Sequence, residues 1–241
     1  MDGDTNPYNL QQLEFDLKTS FSLAVLNGEP DCTEGIVGKL SDAKVPFLVI
    51  YGQKSAAANC IGGIPVDEQT ALAAMVSHAG RTGIGRAVLV RKWRHDGDDC
   101  LAAMRSAGIK VETLTVPQKN RRGRAEDLWQ ESFALFERRF AKSGKSWLPD
   151  LVYFTDDHCF QGAAVSMLHR GVKVPEDVCL VTATNAGMRP PFPVSLACVE
   201  CDLKSQAEVV AKAALDYLEH GRHVVPGLAI STSYVPGATF P

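Results

Sequence analysis

Residues 149–187 read PDLVYFTDDHCFQGAAVSMLHRGVKVPEDVCLVTATNAG, and this stretch decides the fold. Leu151 to Thr155 and Val178 to Ala183 are near-continuous apolar runs, the pattern of strands buried on both faces. Between them His158 to Arg170 reads as a helix closed by Gly171. Two such strands joined by a helix form a βαβ unit, whose strands run parallel.

The same alternation extends outward on both sides. Upstream, strands are expected over Phe21 to Leu26, Val45 to Tyr51, Arg86 to Val90 and Val111 to Val116. Helices are expected over Thr33 to Ala43, Asp67 to Ala79, Asp98 to Ala107 and Ala125 to Lys142. The helix from Asp67 carries an acidic first turn, which suits its dipole. After residue 184 a Pro-rich loop, MRPPFPVS, leads to an extended stretch, a long helix from Leu203 to His220 and a last strand near Leu228 to Val235. The expected fold class is α/β with doubly wound parallel sheets.

Composition narrows the function classes. Of the 241 residues, 45% are hydrophobic and 22% charged, which excludes a disordered or collagen-like chain. The formal net charge of −3 gives no positive field that would draw the whole chain onto nucleic acid. The first residues, MDGDTNPYNLQQLEFDL, have neither the basic nor the apolar region of a secretory signal. No apolar stretch approaches the ~18 residues of a membrane span. The seven cysteines are odd in number and scattered, which fits a reducing cytoplasm. Cys198 and Cys201 sit three apart in an extended stretch and so face opposite ways; with no second ligand pair, no metal is expected.

Several motifs carry no chemistry. Gly80-Arg-Thr-Gly-Ile-Gly85 follows a helix and precedes a strand, the reverse of a dinucleotide fingerprint, and reads as a loop. Lys119, Arg121, Arg122 and Arg124 form a basic cluster in a loop, read as solvated. Without a Gly-x-Ser-x-Gly elbow or His pairing, no enzyme and no cofactor are expected.

The segment from Pro149 to Pro241 resembles the effector-binding domain of LacI/GalR-type transcription regulators. Three landmarks carry the resemblance. They are the strand, Asp156-Asp157 turn, helix and Gly171-x-x-x-Pro175-x-Asp177-Val178 succession; the run PFPVSLACVECDLKSQAEVVAKAALDYLEHG; and the closing strand with its YVPGATF tail. Upstream the likeness is topological, and in all it covers roughly residues 10 to 241. One departure is chemical: the strand ends Thr182-Ala183-Thr184-Asn185 where the family has Gly-Phe/Tyr-Asp, so an amide replaces the sugar-binding acid, as in the branch that often carries a GntR-like winged helix. A second concerns extent. The DNA-binding head, the first strand, the first helix and the second strand have no counterpart here, so the first lobe is expected to be incomplete and FSLAVL to form an apolar sheet edge.

The resemblance implies a periplasmic-binding-protein-like fold of type I, with two lobes and a ligand cleft between them. The N-terminal lobe would comprise 1–66 plus 203–230, and the C-terminal lobe 67–202 plus 231–241. In open parallel sheets ligands bind beyond the carboxyl ends of the strands. The candidate ligand-binding residues are therefore Asn27, Tyr51, Trp93, Arg94, Asp156 and Asn185, each just after a strand or ending it. Carboxylates and amides pair with vicinal hydroxyls, and Trp or Tyr stacks on the apolar face of a sugar. Each also has a plainer role: one of Asp156 and Asp157 would cap the next helix, Asn185 would hold a turn, and Trp93 would pack between lobes. Arg94 or Asp96 lies where the family places a ligand-binding Arg.

The expected function is that of a ligand-sensing module of a transcription regulator, cytoplasmic, binding a small sugar-like effector. Its partners would be a second copy in a homodimer, and DNA only through a head domain. The alternative is a transport-linked solute-binding protein of the same fold, against which the cysteines and the missing signal argue.

Overall fold

The computed structural model describes residues 22–27, 30–51, 55–92, 96–117 and 125–241. In chain order the elements are β1 (Ala24–Asn27), α1 (Pro30–Asp42), β2 (Phe47–Ile50), β3 (Cys60–Ile64), β4 (Val66–Asp67), α2 (Gln69–Arg81), β5 (Arg86–Arg91), α3 (Asp98–Ser106), β6 (Lys110–Thr115), α4 (Ala125–Ser143), β7 (Leu151–Phe154), α5 (Asp157–His169), β8 (Cys179–Asn185), β9 (Ala197–Cys201), α6 (Leu203–His220) and β10 (Ile230–Val235). By their contacts they divide into two units, one of the chain up to Asp67 with Asp202–Ser231, the other of Glu68–Cys201 with Thr232–Pro241. Among the described residues no helix is long and apolar enough to cross a membrane.

In the second unit the strand order is β10-β9-β8-β7-β5-β6. Strands β5 to β9 pair in parallel, and β10 closes the sheet antiparallel to β9. The carboxyl ends of β5, β6, β7, β8 and β9 thus lie along one edge. Every residue of β7 and β9 is buried, because helices cover both faces. On one face Val88, Val90, Val152, Phe154, Leu180 and Cys198 pack with Leu128, Phe136 and Phe140 of α4 and Phe160, Ala163 and Met167 of α5. On the other, Leu89, Leu151, Tyr153, Val181 and Val199 pack with Leu72 and Met75 of α2, Cys100 and Met104 of α3, and Phe240. Each large side chain buried in this way contributes about 1.5–3 kcal/mol.

The chain tail is stitched into the same sheet. The Thr239 hydroxyl donates to the Leu180 carbonyl (2.8 Å) and accepts from the Ala197 amide (2.9 Å), and Leu180 N donates to the Thr239 carbonyl (2.9 Å). His78 of α2 stacks on Phe240 and bonds the Tyr234 hydroxyl at 2.7 Å.

In the first unit β1, β2 and β3 pair in parallel in that order. Among the described residues β1 is paired only with β2, and its Val25 is 47% exposed. Strand β4 joins the first two residues of β10, with Val66 opposite Ile230 and Asp67 opposite Ser231.

The structure corrects several sequence expectations. The first strand lies over Ala24–Asn27 rather than Phe21 to Leu26, and Phe21 lies outside the described residues. Strands β3 and β4 were not foreseen. The helix expected from Asp67 starts at Gln69: Asp67 belongs to β4 and Glu68 is the N-cap, so the first turn holds no acidic residue. Gly80 and Arg81 end α2, and Thr82 to Gly85 turn the chain into β5, so the glycine-rich stretch is a helix exit. The extended stretch expected around Cys198 and Cys201 is β9: Cys198 packs in the core on the α4/α5 side, Cys201 ends the same strand, and both are free thiols.

Candidate functional site

The carboxyl edge of the second unit's sheet gathers the polar chemistry. At the end of β7, Asp156 adopts an extended backbone (φ −149°, ψ 134°) and caps α5. Its Oδ1 accepts from the amides of His158 (2.9 Å) and Cys159 (3.2 Å), and its Oδ2 lies 3.5 Å from the Lys92 ammonium at the end of β5. A carboxylate at a helix N-terminus is also favoured by the helix dipole. The next carboxylate, Asp157, accepts from the Thr184 hydroxyl of β8 at 3.2 Å. His158 Nδ1 lies 3.0 Å from Asp157, with the ring 42% exposed. Asn185 ends β8 half-buried, and its carbonyl accepts from the Met188 amide at 2.9 Å to close the following turn.

A second acidic group lies where α2 and α3 begin. Asp96 accepts a hydrogen bond from the Thr155 hydroxyl, and a Cβ on Gly97 (φ +74°) would sit 2.7 Å from Thr155 Cγ2, so that loop can press on β7 only with glycine there. Burial holds the Asp96 carboxyl above its ordinary range, against the Thr155 bond and the Lys92 charge, which pull it down. Glu68 makes no capping bond to α2, and its carboxyl is also raised, first by burial and then by the charges of Asp96 and Asp99. Farther along the edge, buried Glu200 of β9 pairs with Arg189. Burial pushes the Cys100 and Cys159 thiols up, so neither is a ready thiolate.

The first unit has its own carboxyl edge. Asn27 ends β1 opposite Ile50 of β2, and its side chain lies outside the described residues. Tyr51 follows β2 with φ +59°; its amide donates to Ile64 O (3.0 Å), and its hydroxyl donates to Gln206 Oε1 of α6 (2.6 Å).

Of the six sequence candidates, Asp156 and Asn185 thus lie at neighbouring strand ends in one unit, and Asn27 and Tyr51 at neighbouring strand ends in the other. Trp93 and Arg94 lie outside the described residues, as do Lys119, Arg121, Arg122 and Arg124. Sequence reasoning missed Glu68, Lys92, Thr184 and Gln206. Lys92, directly after the β5 run, and Glu68, ahead of the α2 apolar pattern, were within reach of the strand-end rule; Thr184 and Gln206 depend on register and tertiary contact.

Comparison with known proteins agrees with this architecture. A model of the periplasmic binding protein-like domain family matches residues 86–240, and the chain belongs to that family. No curated protein matches it by sequence. Among solved structures it is similar to the transcription regulator CcpA of Lactococcus lactis, with a TM-score of 0.73 at 17% identity, covering 100% of this chain and 86% of that one. A LacI family transcriptional regulator from Enterococcus faecium with bound ribose gives a TM-score of 0.73 at 14% identity, over 94% of this chain and 82% of that one. One from Arthrobacter in complex with lactose gives 0.72 at 12% identity, over 96% and 82%. At such identities the likeness is one of fold.

Proposed function

We propose that this chain is the ligand-sensing part of a LacI-type transcription regulator, and that its effector is a small polyhydroxylated molecule of sugar type. The observation that carries this reading is the set of Asp157, Thr184 and Asn185 beside the capping residue Asp156, at the carboxyl ends of adjacent strands β7 and β8. Those groups offer acceptors and donors for vicinal hydroxyls. The bound lactose and ribose of two similar structures support the same class of ligand. Asn27, Tyr51, Trp93 and Arg94 complete the proposed contact set.

On this reading the protein binds its effector without turning it over. It works in the cytoplasm as a homodimer and meets DNA through a head domain. The effector controls DNA binding only as far as it binds one conformational state more tightly than another.

The test is a thermal-shift and calorimetric screen with ribose, lactose and related sugars. Because Asp156 caps α5, Asp156→Asn is the informative variant: Asn caps nearly as well as Asp but lacks the charge. Asp156→Asn and Asn185→Ala should each weaken binding by about 1–3 kcal/mol while leaving the unfolding midpoint nearly unchanged. Parent-like affinity in both variants would remove these residues from the site.

A further inference from the structure

Tyr51 is a bulky residue in the left-handed region (φ +59°), where glycine or asparagine is the usual occupant. Such a conformation persists only where the surroundings over-determine it, and it concentrates at functional positions. Bonds from its backbone and from its side chain hold it here. The Tyr51 amide donates to Ile64 O on β3, fixing the backbone at the carboxyl end of β2. The phenol donates to Gln206 Oε1 at 2.6 Å, fixing the ring. Gln206 is carried on the ordered start of α6: its backbone amide donates to Asp202 O, and the Asp202 side chain caps that helix by accepting from Lys204 N.

We infer that Gln206 is a positioning residue: it sets the ring of Tyr51 as a platform for the effector, and by taking the phenol proton it turns the Tyr51 oxygen toward the ligand as an acceptor. The inference deepens the proposed function and rests on it. The ligand class it selects presents a hydroxyl donor beside an apolar ring face, since the ring supplies stacking and the oxygen accepts. Gln206 acts through Tyr51 and needs no contact with the ligand.

The experiment titrates D-ribose and lactose into the parent, Tyr51→Phe, Gln206→Leu, Gln206→Glu and the Tyr51→Phe/Gln206→Leu double variant. Tyr51→Phe and Gln206→Leu should each weaken binding about tenfold or more, and the double variant should be no worse than Tyr51→Phe alone, because that variant already lacks the bond that Gln206→Leu removes. Gln206→Glu keeps an acceptor and should restore binding. Parent-like binding by Gln206→Leu, or losses that multiply in the double variant, would overturn the inference. A second arm needs no ligand: with ring-labelled tyrosine, the Tyr51 Cζ resonance, assigned by its loss in Tyr51→Phe, should move in Gln206→Leu and return toward the parent position in Gln206→Glu. If neither sugar binds the parent, the sugar reading fails while this resonance still decides the positioning role. An unmoved resonance in Gln206→Leu refutes it.

Discussion

Replacing Gly162 by alanine should reverse the usual sign of a helical Gly→Ala change. In an open helix interior that substitution stabilises by about 1 kcal/mol, because alanine loses less backbone entropy. Gly162, however, lies in α5 where that helix packs on α4, and a Cβ there would stand 2.0 Å from the Trp129 carbonyl oxygen and 2.9 Å from the Phe133 amide nitrogen. Both obstacles are backbone and cannot rotate away, so the helices must separate by roughly an ångström. Overpacking of this kind costs about 1–3 kcal/mol. Separation also stretches the buried bond from the Ser132 hydroxyl to the Cys159 carbonyl, now 2.6 Å, whose loss adds about 1–3 kcal/mol. Set against the propensity gain, the net loss is about 3 kcal/mol. Gly80→Ala is the control, since Gly80 lies in the last turn of α2 with nothing within 4 Å of the added Cβ. Urea unfolding should show a lower midpoint for Gly162→Ala and an unchanged or higher one for Gly80→Ala. Because Asp156 to His158 lie at the start of α5, Gly162→Ala should also weaken the proposed sugar binding. A Gly162→Ala protein as stable as its parent, with Gly80→Ala behaving as stated, would refute the close helix contact.

The raised carboxyls give a pH prediction of definite sign. Glu68 and Asp96 hold their protons more tightly folded than unfolded, so their contribution to stability is complete below the ordinary carboxylate range and is lost as pH rises through their raised folded values. Glu68→Gln and Asp96→Asn should therefore gain stability relative to the parent between about pH 4 and pH 7, measured by chemical unfolding at each pH; a difference independent of pH would contradict this. Thr239→Val keeps the shape of a fully buried side chain but removes its bonds to Leu180 O and Ala197 N, and should cost about 2–3 kcal/mol by the same measurement. A cost near zero would mean that the tail's backbone bonds suffice without the hydroxyl.

Much of the fold was legible because its strands are buried on both faces. LVYF at 151–154 and the apolar run at 178–183 announce a two-sided core whatever the partners are, and α6 is marked at both ends by Asp202 as N-cap and Gly221 in the left-handed conformation. Strand β3 was illegible for the opposite reason. Its sequence, CIGGI, has weak strand propensity, and Gly62 is there because a Cβ would meet Val224 Cβ at 2.3 Å, a contact made by a segment far away in sequence. The start of α2 was misplaced because Asp67, expected to open the helix, instead pairs with Ser231 of β10 beside the pair of Val66 and Ile230, and that pairing outweighs the helical pattern there. The site divides along the same line. Residues at or just past a strand end follow from topology alone, so Tyr51, Asp156 and Asn185 could be named from sequence. Their partners could not. Thr184 reaches Asp157 only through the register that sets β8 beside β7, and Gln206 reaches Tyr51 across most of the chain length. A strand-end rule therefore names the groups proposed to face a ligand, whereas the groups that hold them in place are fixed by tertiary contacts with no local signature. That is why the strained backbone of Tyr51, visible only in the folded chain, points to Gln206 when no spacing in the sequence does.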